Sequence, residues 1–282
     1  MLRFTSRLTV CTLLLLLAAS SASAVPVTTG LKLWLDATNG VTTSGATVTG
    51  WSDLSGNGHD GSYDSGAPQL VPGAINGLPA ISFNGNGDHF ALAGGQVLSS
   101  DSFTVFAVAV DTGSVEGDAR EIYSNWDAAN SWPSQFLGTS FGDGGTRSIR
   151  FTDGLTAVDV LSTPGSPFVS YGVYVGGVNA DVYLDGVLVG SNPQNTDPAD
   201  AFNPNGQRDI TTPSFIGRQG SFDGEYWQGY IAEVLVYDGA LSSEDQALVA
   251  AYLQTKWVPE PGSFLLAAVG ILGLLIYRRR SR

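Results

Sequence analysis

Cysteine is almost absent from this chain of 282 residues, since the only one is Cys11. Cys11 precedes the leucine run Leu13–Leu17 near the N-terminus rather than following it, so its position does not favour a lipid-modified cysteine. No cysteine occurs beyond that run. Disulfides and a thiol nucleophile are therefore excluded from the remainder of the chain.

Histidine and basic residues are also scarce. The two histidines, His59 and His89, lie in glycine-rich turns. We interpret both as turn residues, which argues against a serine triad and a structural zinc site. Six of the 13 basic residues lie at the two chain ends, so residues 25–257 hold 7 basic and 25 acidic residues, a net charge of −18. This charge argues against a nucleic-acid partner. It favours solubility, or alternatively carboxylates that collect divalent cations.

The N-terminus has the three parts of a secretory signal peptide. Arg3 and Arg7 precede the apolar run Leu8–Ala19, and Ala22-Ser23-Ala24 fits a cleavage site of small residues. We therefore predict a signal peptide over residues 1–24. The alternative, an uncleaved anchor, is disfavoured because the apolar run is short for a membrane span.

The C-terminus combines a Pro-Glu-Pro motif, an apolar run and a basic tail. Residues 258–282 contain, in that order, Pro259, Glu260 and Pro261, then Phe264–Tyr277, then Arg278, Arg279 and Arg280. This order resembles the PEP-CTERM sorting signal of Gram-negative bacteria. The resemblance implies a transmembrane sorting helix, processing by an exosortase-type enzyme, and an inner-membrane intermediate on the way to the cell surface or extracellular matrix. A simple tail anchor is the alternative.

Between the two ends, the pattern is typical of an all-β domain. Short apolar runs alternate with turns rich in Gly, Ser, Thr, Asn and Asp. Ser102–Val110 is apolar on both faces, which predicts a central strand. Asp185-Gly186 predicts a hairpin. Further strands are expected at Leu31–Asp36, Gly77–Gly85, His89–Leu92, Glu121–Ser124, Ser148–Phe151, Val158–Leu161, Phe168–Val175, Ser214–Ile216 and Tyr230–Tyr237.

One helix is expected near the end of this domain. Ser242 is placed to cap it, with Asp245 three residues on in a variant of the capping box. An apolar stripe follows at Leu248, Val249, Tyr252 and Leu253. Residues 25–257 are therefore expected to form one domain that ends in a short helix.

Several motifs of this domain occur in an order that resembles a known family. They include Trp51-x-Asp53-x-Ser55-Gly56-Asn57-Gly58, Phe83-Asn84-Gly85, Ile216-Gly217-Arg218 and Gly229-Tyr230-Ile231-Ala232-Glu233-Val234. Together they are similar to bacterial laminin-G-like jelly rolls of the concanavalin A-like lectin/glucanase superfamily. The resemblance implies a two-sheet antiparallel jelly-roll sandwich. It does not imply one activity, because lectins, glycosidases and adhesion modules share this fold.

Two turns carry oxygen ligands that suit calcium. Asp53, Asn57 and Asp60 lie in one turn, and Asn84 and Asp88 in another. The resemblance implies a calcium ion at a sheet edge, for which Asp88 is the first candidate ligand. The alternative is that these side chains form Asx-turns with their own backbone.

Aromatic residues in loops are the candidates for glycan contact. Trp126 and Trp132 bracket a polar stretch, and Tyr226 and Trp227 follow Gly224-Glu225. A sugar ring can lie on such aromatic faces. The alternative is that these side chains plug the ends of the sandwich.

Carboxylates occur in one local group and at isolated positions. Glu116, Asp118 and Glu121 have the Glu-x-Asp-x-x-Glu spacing of many concanavalin A-like glucanases, whereas Glu233 stands alone. This spacing by itself does not establish catalysis, and we expect an exported, non-catalytic module that binds glycans or mediates adhesion. A structural matrix protein without a discrete ligand site is the alternative. A glycan-active hydrolase with noncontiguous carboxylates is the less favoured third reading.

Overall fold

The computed structural model describes residues 24–258 apart from 101, 116, 126–134, 143–145, 153–154, 158, 162–164, 177, 194–212 and 221–222. The signal peptide, except for Ala24, and the sorting segment after residue 258 lie outside this range. Within the described ranges, no helix is long and apolar enough to cross a membrane.

The described residues form seventeen strands and one helix. The strands are β1 (Leu31–Asp36), β2 (Val41–Ser44), β3 (Thr47–Trp51), β4 (Gly61–Tyr63), β5 (Gln69–Ile75), β6 (Leu78–Asn84), β7 (Phe90–Leu92), β8 (Phe103–Asp111), β9 (Asp118–Ser124), β10 (Phe136–Phe141), β11 (Arg147–Phe151), β12 (Leu155–Ala157), β13 (Pro167–Val175), β14 (Asn179–Leu184), β15 (Val187–Pro193), β16 (Phe215–Ile216) and β17 (Gln228–Asp238). Helix α1 spans Ser243–Trp257. An all-β domain with one C-terminal helix is thus confirmed.

The strand pairings, all antiparallel, divide the strands into two series. The first runs β6–β17–β8–β13–β14–β15, with β5 beside β6 and with β1 paired to the later residues of β17. The second runs β2–β3–β4–β7–β16–β9–β10–β11–β12. A single pair between β3 and β5, Thr47 with Gln69, links the series. Hydrogen bonding is therefore continuous between the two faces of this β-sandwich.

The strands and the helix enclose two apolar layers. One lies between the two strand series and includes Trp51 and Phe103. The other lies between the first series and α1, and it includes Phe106 and Trp257. Strand β8 supplies alternate residues to both layers, and every one of its residues is buried. The prediction of a central strand apolar on both faces is confirmed.

The local turn and cap signals are also confirmed. Leu184 pairs with Val187 around Asp185-Gly186, whose positive φ angles of 50° and 83° are those that this tight hairpin turn requires. Ser242 caps α1, because its Oγ accepts a hydrogen bond from the Asp245 N–H at 3.2 Å.

Two details of the predicted elements are wrong. Leu248 is 48% exposed, and the buried stripe of α1 is formed by Val249, Ala250, Leu253 and Trp257. The strand expected at 158–161 lies earlier, at β12. Asp159 has a φ of 58°, which interrupts an extended backbone there.

A buried ionic cluster links the two strand series. Asp111 accepts hydrogen bonds from Thr139 Oγ1 at 2.8 Å and Arg120 Nη1 at 3.3 Å, and Arg147 Nη1 lies 3.4 Å from it. Gly113 packs against Arg120, since a Cβ at this position would lie 2.1 Å from the guanidinium carbon. The cluster joins β8 to β9, β10 and β11, so it fixes the strands that carry the candidate site.

Candidate functional site

A polar cluster lies on the outer face of β9–β11, turned away from the core. The pairing places Glu121 of β9 and Arg150 of β11 opposite the same residue of β10, Gly138. The neighbouring residues Leu137 and Ile149 belong to the core, so alternation points Glu121 and Arg150 outwards. Gly138 gives them room, because a Cβ there would lie 3.0 Å from Glu121 Oε2 and 2.2 Å from a backbone oxygen.

A second carboxylate reaches this cluster from a distant part of the chain. Glu225 lies in the segment before β17, and its carbonyl oxygen accepts a hydrogen bond from the Glu121 N–H at 3.0 Å. Its side chain accepts one from Arg150 Nη1 at 2.6 Å, and the same nitrogen lies 3.3 Å from Glu121 Oε1. One guanidinium therefore bridges two glutamates. No local pattern indicated the convergence of Glu121 with Glu225, so neither glutamate was predicted as a site residue.

The two glutamates differ in environment. Glu121 is only 1% exposed, whereas Glu225 is partly exposed. Burial raises the pKa of Glu121 well above its usual range, Arg150 opposes that shift, and the adjacent Glu225 adds to it. Burial alone would lower the pKa of Arg150, but the two glutamates raise it. Among the described residues, Glu121 Oε2 has no hydrogen-bond donor. A proton on Glu121 would remove its negative charge and with it the repulsion between the two carboxylates.

Aromatic rings and a second arginine extend the cluster towards β16. Arg150 lies 5.2 Å from the centre of the Phe136 ring. Arg218 lies 5.0 Å from the centre of the Phe215 ring and 5.9 Å from that of Tyr226. These distances are within the range of cation–π contacts. The outer face thus combines guanidinium groups, carboxylates and the half-buried ring of Tyr226.

His89 belongs to this second part of the face. Its Nδ1 lies 2.8 Å from the Gly87 carbonyl oxygen, which can only accept, so Nδ1 carries the proton. Nε2 then accepts a hydrogen bond from Arg218 Nη1 at 3.2 Å. Burial, helped by Arg218, lowers the pKa of His89, which favours this neutral form. The sequence identified His89 as a turn residue only, because its partner Arg218 is far along the chain.

The four aromatic residues proposed from the sequence have different outcomes. Tyr226 lies on the outer face, and its hydroxyl donates a hydrogen bond to Asp223. Trp227 is completely buried in the core between the strand series, so its prediction as a glycan-contacting residue is wrong and its role is to pack. Trp126 and Trp132 lie outside the described residues. The residues that bracket them, Asn125 and Gln135, are joined by a hydrogen bond of 2.7 Å from the Gln135 N–H to Asn125 Oδ1.

The first turn proposed for calcium uses its oxygens on the protein itself. Asp53 accepts hydrogen bonds from the N–H groups of Trp34 at 3.0 Å and His59 at 3.1 Å. Asp60 accepts the Asp53 N–H at 2.7 Å. The side-chain amide of Asn57 donates to the Leu31 carbonyl at 3.0 Å. These contacts have the character of the Asx-turn alternative.

The second turn is similar. Asp88 is 3% exposed, and its two oxygens accept the N–H groups of Ala67 at 2.6 Å and Asn84 at 2.9 Å. Asn84 Oδ1 accepts the Asn86 N–H at 2.7 Å. In the part of the chain that is described, no three His, Cys, Asp or Glu side chains group in a way that could hold a metal ion. Because backbone N–H groups already occupy these oxygens, this donor set does not fit a calcium ion, and the calcium site suggested by the sequence is left to experiment.

Glu233, which has no neighbouring carboxylate in the sequence, lies in a separate buried network beside α1. Its Oε1 accepts hydrogen bonds from Trp34 Nε1 at 2.8 Å and the Tyr252 hydroxyl at 2.9 Å. Its Oε2 accepts them from Lys256 Nζ at 2.8 Å and Trp257 Nε1 at 2.6 Å. Four donors thus satisfy one buried carboxylate. This network attaches the last turns of α1 to β1 and β17.

Comparison with solved structures finds the same fold in saccharide-active and toxin proteins. Domain 4 of AbnA, an extracellular arabinanase from Geobacillus stearothermophilus, solved with arabinotriose, is 17% identical with a TM-score of 0.55 over 78% of this chain and 98% of its own. The Trypanosoma rangeli sialidase solved with sialic acid is 15% identical with a TM-score of 0.56 over 83% of this chain. The binding domain of Paraclostridial Mosquitocidal Protein 1 is 17% identical with a TM-score of 0.51 over 79%. The chain spans 34% of the sialidase and 52% of the toxin domain.

Comparison with protein families finds two matches, while a search of the curated proteins found none. Residues 258–280 match the PEP-CTERM protein-sorting motif, which implies an exported, exosortase-processed cell-surface protein. The predicted motif residues Pro259, Glu260, Pro261, Arg278, Arg279 and Arg280 lie in this match but outside the described structure. Residues 84–245, more than half of the chain, match the second family. The chain belongs to the concanavalin A-like lectin/glucanases superfamily.

Proposed function

We propose that this protein is a cell-surface module that binds glycans, without catalysis, on the outer face of β9–β11 in a two-sheet jelly-roll sandwich. The observation that carries the proposal is the cluster in which Arg150 bridges Glu121 and Glu225. It lies on the same face as Arg218 and the half-buried ring of Tyr226.

The chemistry of this cluster suits a saccharide. Guanidinium donors and carboxylate acceptors can bind neighbouring hydroxyl groups in pairs. An aromatic ring such as Tyr226 offers a flat apolar surface to the C–H face of a sugar. Arg150 and Tyr226 are already held by Glu225 and Asp223, so little side-chain entropy is lost when a ligand binds.

The solved relatives support this proposal. The AbnA domain was solved with arabinotriose and the sialidase with sialic acid, so proteins with this fold occur in complexes with saccharides. At 17% and 15% identity these likenesses concern the fold. The ligand must therefore be identified by experiment on this chain.

The sorting motif supports the location of the proposed function. We propose that residues 1–24 direct export and that residues 258–282 hold the protein in the inner membrane until an exosortase-type enzyme processes it. The acidic domain would then be displayed at the surface or released into the extracellular matrix. Its partners there would be extracellular glycans.

A glycan array followed by calorimetric titration of the best ligand tests the proposed site. Tyr226→Ala and Glu225→Gln should each weaken binding by about 1–3 kcal/mol, or roughly five- to 150-fold, because each removes a contact that orients the sugar. Glu244→Gln is the matched control, since it makes the same change on the exposed first turn of α1. Unchanged binding in both site variants would place the ligand elsewhere. A folded protein that binds no array glycan would favour the structural matrix alternative.

One observation favours a second candidate function, a glycan-active hydrolase. Burial raises the pKa of Glu121 beside the partly exposed Glu225, and two carboxyl groups in different environments are the kind of pair that glycosidases use. If the protein is an enzyme, turnover of the array ligand should disappear in Glu121→Gln while binding remains. Binding without any turnover in the wild-type protein would exclude this candidate for that ligand.

A further inference from the structure

A groove of about 1190 Å³ lies on the opposite side of the first strand series from the candidate site. One wall is α1, with Leu248, Ala251, Tyr252 and Thr255. The other walls are formed by the end of β1, by the turn between β5 and β6, and by Ala24 and Pro26, which precede β1. Its volume is slightly above the usual range for ligand clefts, roughly 300–1,000 Å³.

The aromatic walls of this groove are held rigidly from behind. Trp34 and Tyr252 line it, and both are half-buried. A single carboxylate oxygen, Oε1 of Glu233, accepts the indole N–H at 2.8 Å and the phenol O–H at 2.9 Å. Each ring is therefore fixed through its polar end. Fixed rings lose little conformational entropy when a ligand packs against them.

The charged groups of the groove neutralise each other. Lys256 and Asp36 both line it, and Lys256 Nζ lies 2.7 Å from Asp36 Oδ2. Lys256 is further held by Glu233 at 2.8 Å. The remaining polar lining consists of uncharged amides and hydroxyls, namely Thr38, Asn39, Asn76 and Thr255. Such a lining has hydrogen-bonding groups for hydroxyls but no unpaired charge for an ionic ligand.

We propose that this groove is a second binding site and that it takes a neutral oligosaccharide. A neutral sugar chain presents the two properties that the walls complement. Its C–H faces can pack on Trp34 and Tyr252, and its hydroxyls can bond to amides and hydroxyls at the rim. A charged saccharide gains nothing from a lysine that two carboxylates already pair. With sites on opposite sides, the domain would join two glycan chains.

The test uses two arginine substitutions on the exposed surface of α1. Ala251 lines the groove, so Ala251→Arg should obstruct it without touching the Glu233 network. Ala247 is exposed on the same helix and does not line the groove, so Ala247→Arg is the matched control. Thr255→Arg, also exposed and lining the groove, provides a second obstructing variant. All three changes leave the buried contacts of α1 intact.

The measurement is calorimetric titration of the full chain in a detergent without a sugar headgroup. The probes are short neutral oligosaccharides cut from β-glucan, xylan and dextran. With Tyr226→Ala in every variant, so that the outer face is impaired, at least one probe should still bind saturably. Its affinity should fall by about tenfold or more in Ala251→Arg and Thr255→Arg, and stay within about twofold in Ala247→Arg.

Three results would overturn the proposal. One is that no probe binds to the Tyr226→Ala protein at all. Another is that Ala251→Arg and Thr255→Arg bind the probe as Ala247→Arg does. The third is that only acidic saccharides, added as a comparison, bind there. Every variant carries Tyr226→Ala, which impairs the outer face, so the binding that remains reports on the groove. Loss of binding at the groove can therefore be distinguished from loss of binding at the outer face.

Discussion

Glu121 links the candidate site to pH through its burial. It is 1% exposed, next to Glu225, and its pKa is raised first by burial, with Arg150 opposing and Glu225 reinforcing that shift. The folded protein therefore holds the Glu121 proton more tightly than the unfolded chain does. A raised carboxyl pKa contributes stability below the unfolded pKa, and that contribution is lost as pH rises through the folded value.

Glu121→Gln should remove this dependence on pH. As pH rises from about 4.5, the ordinary value for Glu, the free energy of unfolding of the wild type should fall relative to that of Glu121→Gln. Denaturant unfolding of both proteins at a series of pH values measures the difference. Glu233 also has a raised pKa, but it is present in both proteins and largely cancels. If the wild type stays equally stable relative to Glu121→Gln, or becomes more stable, as pH rises, then the folded protein does not bind the Glu121 proton more tightly than the unfolded chain.

At the scale of elements, a β-bulge in β17 decides how α1 is attached. The register with β8 shifts between Ile231 and Glu233, so Ala232 and Glu233 both lie towards the helix while Ile231 and Val234 lie in the sandwich core. Regular alternation would have placed Glu233 beside Ile231 in the apolar core. The bulge instead brings its carboxylate to Lys256, Tyr252 and Trp257 of α1.

Glu233→Gln should loosen α1 as well as lower stability. Glu233 is fully buried and accepts four hydrogen bonds, and an amide can replace neither its charge nor both acceptor oxygens. Breaking such a buried charge pair costs about 3–5 kcal/mol. Denaturant unfolding gives the loss, and amide hydrogen exchange should show it concentrated in α1. Glu244→Gln should change neither, and equal behaviour of the two variants would refute the proposed attachment.

The elements that the sequence predicted correctly are those with strong local signals. The apolar run of β8, the Asp185-Gly186 turn and the Ser242 cap each follow from a few neighbouring residues. Strand β10 was missed because Phe136-Leu137-Gly138-Thr139-Ser140-Phe141 lacks clear alternation. Its extended form depends on pairing with β9 and β11. Tertiary context decides such weak strands.

The candidate site was harder to predict than the fold for a similar reason. Arg150 and Glu225 are 75 residues apart, and only the order of strands brings them together. Tyr226 was a candidate because an aromatic residue in a loop is itself a signal, and its role in binding stays a prediction. Trp227, the next residue, carried the same signal but points into the core, since neighbouring extended residues face opposite ways.

At the scale of the whole molecule, the turns proposed for calcium can be tested by thermal unfolding. The oxygens of Asp53 and Asp88 already accept backbone N–H groups, so we expect millimolar calcium to leave the melting temperature where EDTA leaves it. A ligand at 100 times its dissociation constant would add about 2.7 kcal/mol and raise that temperature visibly. A clear rise that is lost in Asp88→Ala would instead establish the calcium site that the sequence suggested.

The two sides of the domain and its C-terminus define the arrangement of the proposed sites. The outer face of β9–β11 and the groove beside α1 lie on opposite sides of the sandwich. The sorting motif begins at residue 258, directly after α1. The outer face is therefore on the side of the sandwich away from the helix that precedes the sorting motif. We propose the outer face as the primary site of ligand recognition because it carries the cluster of Arg150, Glu121 and Glu225.

The most direct measurement of this assignment is a crystal structure of the domain with the best array glycan. We expect a sugar bound on the outer face of β9–β11, with its ring against Tyr226 and its hydroxyls within hydrogen-bonding distance of Arg150 and Glu225. Density for the sugar only at another surface, with the Arg150 contacts unchanged and solvent over Tyr226, would contradict it.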